Sequence, residues 1–113
     1  MKLVTVTRKD LSAGYQLVQS GHAIAEFIQH FPDKFAEWKQ QSNYLISLSV
    51  DDEERLQRLF YKLQDNGADV VAFTEPDIDD QLTSICYYGT PEMRKITQNL
   101  DLALEEVKVA IKN

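Results

Sequence analysis

The sequence holds a single cysteine, Cys86, so no disulfide can form within the chain. That usage suits a reducing compartment. No stretch approaches the ~20 consecutive apolar residues of a membrane-spanning helix, and the opening MKLVTVTRKD lacks the apolar run of a signal peptide. Basic residues are also scarce: 12 Lys and Arg stand against 18 Asp and Glu, a formal charge of −6. A broad, non-specific grip on nucleic acid needs the opposite sign, although an acidic body can still carry a local basic patch. Internal repeats, linkers and low-complexity segments are missing as well. These absences describe a cytoplasmic chain without a membrane anchor.

What remains is ordinary globular material. At 113 residues, with 43% hydrophobic and 27% charged residues, residues 1–113 read as a single domain. A chain of this length buries roughly two-thirds of its unfolded surface and needs no metal to fold.

Hydrophobic periodicity divides the chain into strands and helices. KLVTVT (2–7) is a short β-rich run. Ser12 is a candidate N-cap for a helix in which Leu17, Gly21, Ile24, Ile28 and Phe31 form a predicted core stripe. Pro32 breaks it, and DKFAEWKQ (33–40) is a second short helix. YLISLSV (44–50) alternates as a strand. Asp51, with Glu54 as its capping-box partner, is predicted to open a helix that buries Leu56, Leu59, Phe60 and Leu63. Gly67 supplies its stop. VVAF (70–73) is a strand with cover on both faces, and LTSICYY (82–88) is the fourth strand, with Cys86 inside it as a packing residue. Thr90-Pro91 starts a last helix whose core contacts Met93, Ile96 and Leu100 continue through Leu104, Val107 and Ile111.

The order β-α-α-β-α-β-β-α implies an α/β fold, a three-layer α/β/α sandwich around a four-stranded mixed sheet. The first three strands run parallel through helical crossovers. The segment Glu75–Gln81 is too short for such a crossover, so the fourth strand runs antiparallel to its neighbours.

In such sheets functional groups collect at the carboxyl ends of the strands. Two segments emerge there, DLSAGYQLVQSGHA (10–23) and EPDIDDQ (75–81). On the first, Tyr15, Gln19, His22 and Glu26 are spaced four, three and four, one polar stripe of a helix. A histidine there can move a proton near neutral pH, and Gln19 can fix its tautomer or hold a water. The helix start near Gly14 offers N–H groups to an anion or oxyanion. An acid of the second segment, Glu75 or Asp77, can orient the imidazole. Such a set suits hydrolysis by an activated water. The alternative is a solvated helix face.

Arg55, Arg58 and Lys62 share one face of the third helix and, with Arg8 and Lys9, make either a basic patch for a partner or an exposed wet side. Asp77, Asp79 and Asp80 lack the glycine and distant glutamate of a calcium loop and read as an acidic turn, so no metal site is predicted.

KLVTVTRKDL, GYQLVQSGHA, YLISLSVDDEERLQRLFYKL, GADVVAFTEPD and LTSICYYGTPE together resemble the type II peptidyl-tRNA hydrolases, in a divergent bacterial and phage-like branch. The resemblance spans Met1 to about Leu104. It implies a mixed four-stranded sheet flanked by helices. It also implies cleavage of the ester between a peptide and the 3′ ribose of tRNA, with no cofactor. By that resemblance Gln19, His22 and Glu75 match family positions, with Asp77 beside them. Gly14, Tyr15, Arg8 and Lys9 become substrate-binding residues. Tyr15 stands where the family has a lysine, and Pro76–Asp80 replaces a run of Gly, Arg and Thr. A second possibility is a non-catalytic binding or regulatory module on the same fold, working as a homodimer.

Overall fold

The computed structural model describes residues 1–104. The elements run β1 (Lys2–Arg8), α1 (Ala13–His30), α2 (Pro32–Gln41), β2 (Tyr44–Val50), α3 (Glu53–Asp65), β3 (Val70–Glu75), β4 (Gln81–Gly89), α4 (Pro91–Thr97) and β5 (Asp101–Leu102). A single 3₁₀ turn, Pro76–Ile78, follows β3. The strands form one mixed sheet in the order β3-β4-β1-β2-β5. β1 and β2 pair in parallel, while β4 lies antiparallel between β1 and β3, so β1, β2 and β3 share one direction.

The sheet has five strands, not the four predicted. The last helix stops at Thr97, and Asp101–Leu102 pairs with Ser49 and Leu48 at the edge of β2. Periodicity alone carried Leu100 and Leu104 into a helix. In the structure Leu100 donates its N–H back to the Thr97 carbonyl in a turn and Leu104 has positive φ. The predicted continuation through Val107 and Ile111 lies outside the described residues.

Alternation along the strands feeds a core on each face of the sheet. On one face Val4, Val6, Leu48, Val50, Ile85 and Tyr87 meet Leu56 and Leu63 of α3, with Met93 and Ile96 of α4 against them. On the other Leu3, Val71, Cys86 and Tyr88 meet Ala23 and Phe27 of α1 and Trp38 of α2. Cys86 is fully buried there, and burial pushes its thiol well up, which makes it a packing group rather than a nucleophile.

Local chemistry sets the helix ends. Ser12 caps α1 by accepting from the Tyr15 N–H, and Thr90 caps α4 by accepting from Met93 N–H. α3 starts one residue later than predicted. Its cap is Asp52, which accepts from the Arg55 N–H at 2.9 Å, while Asp51 stands outside and pairs with Lys9 and Arg55. Gly67 takes positive φ after α3, and Ala68 N–H closes back onto the Leu63 carbonyl.

Gly89 is demanded by close approach. It faces Lys2 across the β1–β4 ladder, and a Cβ there would sit 2.7 Å from the Lys2 carbonyl oxygen and 2.8 Å from Val4 Cγ2. Gly89→Ala is expected to destabilise the fold by about 1–3 kcal/mol, the usual penalty of overpacking. A lowered urea midpoint with unchanged slope checks this; an unchanged midpoint contradicts it.

Candidate active site at the carboxyl end of β3

α1 presents an unexpected face to the sheet. Its buried residues are Gln16, Gln19, Ser20, Ala23 and Phe27, while Leu17, Val18 and Ile28 of the predicted core stripe and its neighbours are exposed. Only half-buried Ile24 and Phe31 of that stripe pack against the core. The helix is turned so that polar side chains point inward, and both glutamines have partners there. Gln16 Nε2 donates to the Leu11 carbonyl at 2.8 Å, and its Oε1 accepts from the Leu104 N–H at 3.3 Å.

Gln19 is wholly buried. Its Oε1 accepts from the Thr83 hydroxyl at 2.6 Å, and its Nε2 donates to Glu75 Oε1 at 3.2 Å. Its backbone carbonyl accepts from the Ser84 hydroxyl at 2.6 Å. Burying an unbonded amide would cost roughly 1–3 kcal/mol by protein mutational data; here no group is left unpaired. These partners also fix the amide orientation, because a carboxylate needs the NH₂ end and a hydroxyl donor needs the oxygen.

Thr83 and Ser84 are adjacent in β4, so strict alternation would send them to opposite faces. A register shift permits both to reach α1. Phe73 pairs with Ser84 but Thr74 pairs with Leu82, which leaves Thr83 as an extra residue in the ladder. Bulges of this kind re-aim side chains beside functional sites. The Thr83 carbonyl is held from the other side by the Thr7 hydroxyl at 2.9 Å. Sequence reasoning missed Thr83, because a one-residue bulge leaves no mark in a period-two pattern.

Glu75 ends β3 on the same face as Phe73, half-buried under the start of α1. Tyr15 lies over it. Partial burial, the charges of Glu75 and Asp77, and a hydrogen-bonding interaction with Glu75 all hold the Tyr15 phenol above its usual range. The structure therefore brings Tyr15, Gln19, Glu75 and Asp77 together.

His22 sits one helical turn further along. Its ring stacks on Phe73, with centroids 4.5 Å apart and planes inclined by 13°. The stack, with no carboxylate hydrogen bond, is its partner among the described residues. The predicted tautomer-fixing role of Gln19 is not what the geometry gives, since both ends of that amide are taken by Thr83 and Glu75. The polar row of α1 is thus divided: Gln19 lies at the base of the site, Tyr15 and His22 along its rim.

Arg8 is buried. Nε and Nη2 donate to the two Asp10 oxygens at 2.9 and 2.8 Å, and Nη1 donates to Gln81 Oε1 and the Leu82 carbonyl. These bonds clamp the end of β1 to the start of β4. Lys9 pairs with Asp51 and with Asp101. It lines a cavity of about 290 Å³ with Arg55 and Arg58, floored by Leu59 and Leu100. That cavity lies beside α3, separated from Glu75 by β4 and β1. Its arginines are also paired, Arg55 with Asp51 and Arg58 with Glu54. Gly14 occupies the first turn of α1, where a Cβ would meet only open space. Among the described residues no group of three or more His, Cys, Asp or Glu is placed to hold a metal. No described helix is long and apolar enough to cross a membrane.

The sequence profile of the family described as peptidyl-tRNA hydrolase PTH2 matches residues 1–103. Among solved structures, a protein of unknown function from Agrobacterium tumefaciens strain C58 superposes with a TM-score of 0.64 at 13% identity. The match covers 89% of this chain and 96% of that one, a likeness of fold. No curated protein matches.

Two outcomes follow from this geometry. Thr83→Val removes the donor to a buried amide oxygen, and is expected to destabilise the protein by roughly 1–3 kcal/mol in urea unfolding. A change of no more than about 0.3 kcal/mol would mean the bond carries no weight. The second concerns acid. The hydrogen bond from Arg8, partly offset by burial, holds the Asp10 carboxyl below the ordinary aspartate range. A depressed folded pKa stabilises above the unfolded value of about 4 and loses that contribution as pH falls through the folded one. Asp10→Asn should therefore narrow the stability difference between neutral and strongly acid solution; an identical acid profile would contradict it.

Proposed function

Since the chain belongs to the peptidyl-tRNA hydrolase PTH2 family, we propose that it hydrolyses the ester joining a peptide, or a related acyl group, to the 3′ ribose of tRNA. Water adds to the ester carbonyl, the C–O bond to the ribose breaks, and the 3′-hydroxyl leaves with a proton. The observation that carries this reading is the 3.2 Å bond from Gln19 to Glu75, which fastens the start of α1 to the carboxyl end of β3.

In this reading His22 takes one proton from the attacking water and returns it to the leaving 3′ oxygen, with Glu75 assisting. Gln19 holds Glu75 in place and does not touch the substrate. Asp77 adds negative charge beside Glu75. The Tyr15 phenol, held above its usual range, is neutral and carries its proton at neutral pH. It can then donate to the developing oxyanion, the task of a positioned hydrogen-bond donor. The first turn of α1 at Gly14 adds partial positive charge. The reaction needs no cofactor in this account.

The proposed partner is tRNA and the proposed location the cytoplasm, where a lone thiol such as Cys86 stays reduced. Phosphates of tRNA can reach Lys9, Arg55 and Arg58 only by competing with Asp51, Asp101 and Glu54. Binding is therefore weak and strongly dependent on salt.

A turnover assay on peptidyl-tRNA tests the proposal. Glu75→Gln and His22→Ala are each expected to lower kcat by about a hundredfold or more, the usual span for acid–base groups. An unchanged rate in His22→Ala removes the imidazole from the mechanism. If the unmodified protein neither turns over peptidyl-tRNA nor retains it at low salt, the non-catalytic module, with its homodimer, replaces this reading.

A further inference from the structure

β3 stands at one edge of the sheet, and among the described residues no strand pairs with its outer side. The bond from the Tyr88 N–H to the Asp69 carbonyl fixes which of its groups face inward, because bonded pairs alternate along an antiparallel ladder. Asp69, Val71 and Phe73 turn their N–H and C=O toward β4, and Val70, Ala72 and Thr74 turn theirs outward. An open edge is a template for one more strand. Proline or lysine often blunts such an edge. VVAFTE holds neither, and Glu75 is its one charge.

The edge runs beside the site described above. Its carboxyl end is Glu75. Successive residues turn by about 100° on a helix, so Tyr15, His22 and Glu26 share one flank of α1, and the stack of His22 on Phe73 directs that flank toward β3. Charge selects the occupant. Residues 13–30 and 66–81 contain no Lys or Arg, and they include Glu26, Asp69, Glu75 and Asp77. A polynucleotide backbone is repelled there. A second copy of the chain is disfavoured too. Twofold antiparallel pairing about Ala72 would set Asp69 of each copy against Glu75 of the other, like charges directly opposite. An uncharged peptide main chain meets neither penalty and supplies the donors and acceptors that the edge lacks.

We propose that the outer edge of β3 takes the peptide half of the substrate as an added strand. The proposed hydrolysis supplies the identity of that occupant, and the inference rests on it to that extent. Direction follows from the chemistry. The ester stands at the carboxyl end of the peptide and must reach Glu75, so the peptide runs parallel to β3. About four residues, roughly 13 Å, then span Val70 to Thr74. One peptide residue donates to the Val70 carbonyl and accepts from the Ala72 N–H. The residue two further on donates to the Ala72 carbonyl and accepts from the Thr74 N–H. Recognition through the main chain makes this grip tolerant of peptide sequence.

The test titrates ¹⁵N-labelled protein with acetyl-tetraalanine joined to 3′-amino-3′-deoxyadenosine, which carries an amide in place of the scissile ester. Exchange of the Ala72 and Thr74 amide protons with water is expected to slow, while Val71 and Phe73, already bonded to β4, change little. Proton contacts from the ribose are expected at Thr74 and Tyr15, not at Asp69. Methylating the four alanine nitrogens one at a time is expected to weaken binding at alternate positions only, by roughly three- to tenfold, the worth of one hydrogen bond. Unchanged exchange at Ala72 and Thr74, a response without alternation, or a ribose at the Asp69 end each overturns the proposal. So does slow exchange in the free protein that is lost on dilution, which makes a second copy the occupant. Turnover of peptidyl-tRNA is measured on the same protein. Turnover without protection of the edge keeps the hydrolase and removes the added strand; protection without turnover keeps the peptide-binding edge and removes the hydrolase.

Discussion

The amide of Gln19 governs the arrangement around it. A helix packed on a sheet is free to roll about its axis until something fixes the face it presents. By area alone α1 should roll to bury Leu17 and Ile28, each worth roughly 1.5–3 kcal/mol when fully covered. It does not, because Gln19 is locked at three points, to Thr83, Ser84 and Glu75. Rolling the helix would break all three and strand polar groups in the interior, at a penalty of the same order for each. Ala23 and Phe27, on the same side as Gln19, pack into the core and remove the remaining incentive to turn.

That orientation decides what chemistry is available. It places Tyr15 over Glu75 and His22 over Phe73, and it aims the open first turn of α1 at the same corner. The bulge at Thr83 is part of the same device, since without it β4 could supply only one of its two hydroxyls to the helix. Thr7, by holding the Thr83 carbonyl, ties the bulge to the central strand. A buried network in which every member is satisfied is stiff, and stiffness is what a carboxylate needs if it is to meet a water in one geometry.

Much of the architecture was legible from residue patterns. The fourth strand carried Cys86 as a packing residue; the cap Ser12, the Thr90-Pro91 start and the stop at Gly67 have strong local chemistry. The shortness of the β3–β4 turn gave the antiparallel direction of β4. The errors share a cause. Hydrophobic periodicity assumes that polar means outward, so it assigned the core stripe of α1 to Leu17 and Ile28 and left Gln19 in a polar stripe without a buried partner. A partner such as Thr83, 64 residues away, has no signature along one dimension. Asp51 and Asp52 differ only in which of two equivalent side chains reaches the Arg55 N–H, and sequence cannot separate them. β5 is two residues long and owes its existence to an available edge on β2 rather than to its own composition.

The charges point in one direction. Arg8 joins β1 to β4, and its fork of Nε and Nη2 is engaged with the Asp10 carboxylate. A lysine at position 15 would pair with Glu75 and bring a full positive charge to the corner. Tyrosine brings a neutral donor instead, and the neighbouring carboxylates hold its phenol above the usual range. The corner therefore gives up attraction for a polyanion and sets an uncharged donor beside its carboxylates. In the proposed reaction, substrate capture then rests on groups elsewhere on the rim, and Glu75 works without a cation in contact with it.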